Sequence, residues 1–308
     1  ARQAGYNQSM KKIDWRKRLR RLEFNFRRHP ITLVGDEGRP YRKALLILCG
    51  LLLVLLLALF SREEPQLMAS PEVAGIQDRA VLRVGIRSDI PDLSGLEQAL
   101  AQAMAQKILP EADAATRLSL VEVNPMTAFP KLDDGSVDVV IAMVSSTMAS
   151  QYYYSIPYYS DPCLLVTLEE GPAFQLLNME LGVVQSNNIR KSPELLLLEA
   201  YTATHAELGL KTKTYASYPD MLDALVRGEI RAALLPETYV ELYGSLYPIA
   251  PSTFSFGTID YAICAPSDAS SLASIATLVL EELMADGQLT ALYRANGLDL
   301  ARIPVQTP

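Results

Sequence analysis

Histidine is scarce in this 308-residue chain, with two in all; cysteine occurs three times and tryptophan once. A transition-metal centre draws mainly on His and Cys ligands, so little is available to build one. Three cysteines do not make a disulfide framework. No Gly-rich phosphate-binding run is present. Cations are missing from one long stretch as well, since no Lys or Arg lies between Lys131 and Arg190. His205 is the only histidine of the carboxyl-terminal two-thirds, and a lone histidine in a helical stretch is an ordinary packing or surface residue rather than a general base. No cofactor and no catalytic set is expected.

What the chain does have is one uninterrupted apolar run, 44–60, directly behind Arg39, Arg42 and Lys43. Seventeen uncharged residues make a helix of about 26 Å, close to the ~30 Å hydrocarbon core of a bilayer. Residues 1–43 hold 13 Lys and Arg against 4 Asp and Glu, yet the whole chain carries −7, so everything after the run is acidic. That asymmetry predicts a cytoplasmic amino-terminal arm, a single transmembrane anchor and an extracytoplasmic remainder. A cleaved signal peptide fits less well, because the basic region is long and Leu59-Phe60-Ser61 is poor cleavage chemistry. In the arm, Trp15, Leu19, Leu22 and Phe26 recur at helical spacing among Lys and Arg, a pattern suited to the anionic inner leaflet. Lipid is therefore the expected partner of residues 1–60, and nucleic acid is not. Residues 61–79 lack sustained periodicity and read as a linker.

From about residue 80 the texture alternates. Short β-branched runs (81–86, 118–123, 137–143) are separated by helical stretches such as 96–108, and the pattern repeats with strands near 181 and 230–235 and helices at 193–208 and 216–227. Strand and helix in alternation predict an α/β domain with a largely parallel sheet, and the repetition predicts two similar lobes.

Three segments, Val81-Leu82-Arg83-Val84-Gly85, 134–142 (DGSVDVVIA) and Ser155-Ile156-Pro157-Tyr158-Tyr159, together with Leu181-Gly182-Val183-Val184, 218–232, 261–266 and 280–293, occur in an order and spacing that resembles the family 3 extracytoplasmic solute-binding proteins. The resemblance implies a type II periplasmic-binding-protein-like fold: two α/β lobes joined by two hinge strands, with ligand held between them. It places lobe 1 at about 80–162 and 265–303, lobe 2 at about 165–262, and the crossings near 162–167 and 261–266. Cys163 and Cys264 then fall in neighbouring hinge strands, where either a disulfide or two buried thiols would fit. The tyrosines at 152–154 and 158–159 would be divided between core and a stacking surface.

The resemblance also implies what is missing. The Arg with which amino-acid-binding relatives grip the ligand carboxylate would fall at Met148 or Ser150, and their acidic partner for the ligand amine at Pro236, next to Glu237. The loop at 89–95, where relatives carry a stacking aromatic, is short. The candidate ligand residues that remain are Asp89, Ser145, Ser146 and Thr147 on the first lobe and Ser186, Asn187, Asn188 and Glu237 on the second, although Ser and Asn before a helix are also ordinary caps. The function this implies is a membrane-anchored solute-binding or receptor component tied to a transporter, binding a small polar ligand other than a standard α-amino acid. The alternatives are a ligand-less scaffold that contacts another membrane protein and, less favoured, a dehydratase-like enzyme.

Overall fold

The computed structural model describes residues 63–124, 127–168, 176–187 and 189–305, with Leu48 and Gly50. The basic arm and the rest of the apolar run 44–60 lie outside the described residues. Among those described, no helix is long and apolar enough to cross a membrane.

Eight strands form one mixed sheet in the order β2-β1-β3-β8-β4-β7-β5-β6. They are β1 (Leu82–Ile86), β2 (Leu118–Glu122), β3 (Val139–Val144), β4 (Tyr153–Leu168), β5 (Glu180–Val184), β6 (Lys211–Tyr215), β7 (Ala232–Pro236) and β8 (Ile249–Ala265). Each end of the sheet is a parallel set, with β1 between β2 and β3 and β5 between β6 and β7. Strands β3 and β7 are buried at every position, the continuous apolar texture of parallel strands covered on both faces.

The covering helices show why the sequence folds as it does. In α3 (Pro91–Ile108) Leu93, Leu96, Leu100, Met104 and Ile108 fall on one face and are all but fully buried. Gly182 in β5 lets the sheet approach its cover closely: a Cβ there would meet Ile230 Cδ1 at 2.4 Å and Met221 Cγ at 3.0 Å. Met221 belongs to α6 (Tyr218–Val226), which follows α4 (Ala128–Asp133) and α5 (Pro193–Thr204) in the chain. Lobe 2 also holds α7 (Glu237–Gly244), and lobe 1 is completed by α8 (Ser270–Ala285) and α9 (Gln288–Ala295).

The stretch read from sequence as a linker is instead part of the domain. It forms α1 (Glu63–Met68) and α2 (Pro71–Arg79), and Val73 and Ile76 of α2 are buried in the core. Glu72 accepts the Ser271 N–H at the start of α8, Gln77 donates to the carbonyl of Ile108, and Arg79 pairs with Asp138, which also holds Arg83 at 2.8 Å. Two apolar positions beside Pro71 and Gly75 are too few to show a period; tertiary contact, not propensity, makes this helix.

The lobes are joined by β4 and β8, 16 and 17 residues long and paired antiparallel along almost their whole length. Strand β4 gains β7 as a second neighbour only from Cys163 to Val166, and β8 meets β3 only at Ala262 and Cys264. The crossings thus centre on residues 159–163 and 257–261, a few residues before the stretches expected from sequence. Pro157 and Pro162 sit where β4 has a neighbour on one side only, so the missing N–H groups break no second ladder. Register also settles the cysteines. Cys264 lies opposite Tyr154 and Cys163 opposite Gly257, an offset of nine positions along β4 and seven along β8, roughly 23–30 Å of strand. Both are free, buried thiols; running side by side does not bring them opposite one another.

Candidate functional site

A cavity of about 330 Å³ lies between the lobes. Its lobe 1 wall includes Arg87, Asp89, Phe129, Met143 and Met148, its lobe 2 wall Ser186, Glu194, Ser217, Tyr218 and Tyr239, and Tyr261 of β8 lies between. These residues follow or end β1, β3, β5, β6 and β7, so the cavity opens at the carboxyl ends of the parallel strands, where open α/β sheets place their ligands.

Arg87 dominates its chemistry. One residue past β1, its side chain is buried, and its Nε and Nη2 donate to the two carboxylate oxygens of Asp89 at 2.8 and 2.5 Å. Nη1 donates across the cleft to the hydroxyl of Tyr239 and lies 3.7 Å from the Met143 sulfur. Burial works against the guanidinium charge, but Tyr239 and Asp89 outweigh it and Arg87 stays cationic. The hydrogen bonds from Arg87 in turn lower the Asp89 pKa. Beneath Arg87 lies Glu97 of α3, fully buried, accepting from Tyr158 Oη at 2.8 Å and from the Arg87 N–H at 3.4 Å. Burial pushes its pKa up to about 8 against those hydrogen bonds.

On the opposite wall Glu194 stands in the first turn of α5, whose N-cap is Ser192, accepting the Leu195 N–H. Glu194 is buried and accepts from Tyr218 Oη; burial raises its pKa. Tyr218 stacks on Tyr239 with centroids 4.2 Å apart, and Tyr239 stacks on Tyr243 at 6.3 Å. A belt of phenols thus runs from Glu194 to Arg87. The rim is closed by a second clasp, in which the Arg190 N–H donates to the Met148 carbonyl at 2.8 Å and Arg190 Nη1 to Ser150 Oγ at 3.1 Å. The two positions where the sequence lacks a cation are reached by one from the other lobe.

The residues expected from sequence divide. Asp89 and Ser186 line the cavity. Ser145, Ser146 and Thr147 do not: they form the turn after β3, where the Ser145 side chain is buried and accepts from Thr147 Oγ1 at 3.4 Å, Ser146 and Thr147 face solvent, and Met148 takes the cavity side. Asn187 is exposed outside the lining, and Asn188 lies outside the described residues. Gln185 beside Asn187 donates to the carbonyls of Ser186 and Ile189 and accepts the Ser192 N–H, and the cap of α5 is Ser192. Glu237, first residue of α7, turns away to pair with Arg302. Of the tyrosines, Tyr158 and Tyr159 are core, and Tyr152 is buried against Phe129 at 4.9 Å. None of the five lines the cavity.

Sequence reasoning missed Arg87, Glu194, Tyr218 and Tyr239. An Arg placed just past the first strand and two residues before Asp89 is a signal for the first; the i, i+4, i+8 stripe of Tyr239, Tyr243 and Tyr247 is one for the phenols. Among the described residues no group of three His, Cys, Asp or Glu is placed to hold a metal ion.

Residues 84–297 match the family described as bacterial extracellular solute-binding proteins, family 3. Among solved structures, the solute receptor for L-cysteine of Neisseria gonorrhoeae matches at 17% identity and a TM-score of 0.55, covering 73% of this chain and 92% of that one. A mutant of ArgBP from T. maritima matches at 18% identity and 0.53, covering 73% and 98%. The ancestral amino acid-binding protein AncCDT-1, a precursor of cyclohexadienyl dehydratase, matches at 16% identity and 0.52, covering 72% and 98%. At these identities the likeness is one of fold.

Proposed function

Because the chain belongs to family 3 of the bacterial extracellular solute-binding proteins, we propose that its interlobe cleft holds a small solute outside the cell, on behalf of a membrane transporter. The observation that carries this reading is the cavity itself: about 330 Å³, at the lower end of the usual ~300–1,000 Å³ for small-molecule sites, walled by both lobes at the strand carboxyl ends. Its wall is more apolar and aromatic than the neutral polar cleft expected from sequence, so the solute has an apolar body with few polar groups. A standard α-amino acid is a poor fit, because the buried carboxyl opposite Arg87, Glu194, is already engaged by Tyr218. The apolar run 44–60 is read as the anchor that keeps the domain at the membrane surface. The reading is one of binding rather than catalysis.

Thermal melting of the full chain in detergent micelles against a broad metabolite set tests it. A cognate solute at a hundredfold excess over Kd stabilises the fold by about 2.7 kcal/mol, several degrees in a domain of this size. A second reading has its own observation: Arg87, Asp89, Tyr239, Glu194 and Tyr218 are all paired within the chain and the lobes are clasped by Arg190. That is the arrangement of a scaffold whose cleft stays shut. A metabolite set that yields no shift favours it.

A further inference from the structure

The Arg87–Asp89 pair is unequal. Arg87 is held from several sides, by Tyr239 and Met143 at Nη1 and by Glu97 at its N–H, and its side chain is 5% exposed. Asp89 stands at the rim with its side chain 53% exposed. The cation is fixed; the carboxylate that covers its bidentate edge is poised at water. Asp89 has water to return to, so an entering carboxylate can take its place without leaving the buried guanidinium unpaired. Another carboxylate entering the cavity could take the same Nε and Nη2 donors as a charge-assisted bidentate pair.

The rest of the wall specifies the body of that molecule. Tyr218, Tyr239 and Tyr243 present a phenol belt beside Arg87, with Phe129 and Tyr261 also in the lining. Planar rings gain most from such a belt through offset or edge contacts. The remaining carboxyl of the wall, Glu194, is buried and already receives the Tyr218 hydroxyl, so an incoming ammonium would have to compete for it. Resting on the reading that the cleft binds a solute, we propose that its ligand is an aromatic monocarboxylate without an ammonium group, whose carboxylate displaces Asp89 from Arg87 and whose ring lies among Tyr218, Tyr239 and Tyr243.

Asp89 is then a placeholder, and the two members of one ion pair have opposite effects on binding. Calorimetry on the full chain in detergent micelles, with 3-phenylpropionate, its amide and L-phenylalanine as probes, reads this directly. The acid binds, and the amide and the amino acid bind about thirtyfold more weakly or not at all. Asp89→Asn tightens the acid by about two- to fivefold, the worth of the competing pair. Arg87→Met weakens it by about thirtyfold or more, with circular dichroism confirming its fold; Asp89→Asn carries the test alone if Arg87→Met does not fold. Asp89→Asn that leaves affinity unchanged or weakens it overturns the proposal, as does an amide that binds as well as the acid. If none of the three probes binds while another metabolite shifts the melting temperature, the carboxylate assignment falls and the solute-binding reading stands. Silence from the probes and the broad set alike removes both.

Discussion

Replacing Glu97 with Gln should make this protein more stable at neutral pH and less stable in acid. The carboxyl is completely buried under Arg87, and burial lifts its pKa from 4.5 to about 8. In the unfolded chain the group loses its proton above pH 4.5, whereas in the fold it keeps it until about pH 8. Stability from this group is therefore fully present below pH 4.5, falls by about 1.4 kcal/mol per pH unit above it, and levels off beyond pH 8. At pH 7 the accumulated loss is about 3 kcal/mol, which an uncharged Gln escapes. Against this, Gln turns one amide N–H₂ toward a former acceptor position: the Tyr158 hydroxyl can keep its bond at 2.8 Å, but the longer one from the Arg87 N–H at 3.4 Å is lost, at about 1 kcal/mol. The curves for the two proteins should cross near pH 5, with the variant ahead by about 2 kcal/mol at pH 7 and behind by about 1 at pH 4. In melting temperature that is a gain of roughly 4–8 °C at neutral pH. Asp161, which burial raises to about 7, and Glu194 slope the same way in both proteins, so the difference isolates Glu97. Differential scanning calorimetry from pH 4 to 8.5 is the assay. A variant whose curve runs parallel to that of the parent would refute the buried-carboxyl account.

Gly182→Ala should cost about 1–3 kcal/mol, because the new methyl would sit 2.4 Å from Ile230 Cδ1 beneath α6; chemical denaturation measures it, and an unchanged midpoint would show that Ile230 yields freely. In a Cys49→Ser background, Ellman's reagent should find no reactive thiol in the folded chain and two after denaturation, without reductant, since Cys163 and Cys264 are buried and far apart along their strands. A count of zero after denaturation would mean they are bridged. If residues 44–60 anchor the chain as proposed, protease added to intact spheroplasts should digest the domain and spare an amino-terminal tag; loss of the tag would invert the topology.

The alternation of strand and helix was legible because parallel strands covered on both faces are simply apolar: β1, β3, β5 and β7 each stand out as short β-branched or aliphatic runs. Elements whose stability comes from elsewhere were not. β6 reads Lys-Thr-Lys-Thr-Tyr, an edge strand with no buried face of its own, and α2 owes its place to Val73, Ile76 and a few polar ties. The long hinge strands carry prolines that would argue against a strand anywhere with two neighbours, and only the sheet order shows that β4 has one there.

The site failed to read through for a different reason, and it is instructive about what a motif can say. Searching the turn after β3 for a guanidinium correctly found none, since Met148 and Ser150 carry no charge. But a cleft between two lobes can be supplied from any strand that ends in it. Arg87 arrives from β1 and Arg190 from the opposite lobe, the first into the cavity and the second onto the backbone and hydroxyl of those same two positions. An empty motif position thus reports that one route to a charge is closed, not that the charge is absent. Here the charge of Arg87 sits two residues from an acid that pairs with it and neutralises it. That proximity makes Asp89 the residue whose removal separates a working anion site from a permanently satisfied ion pair.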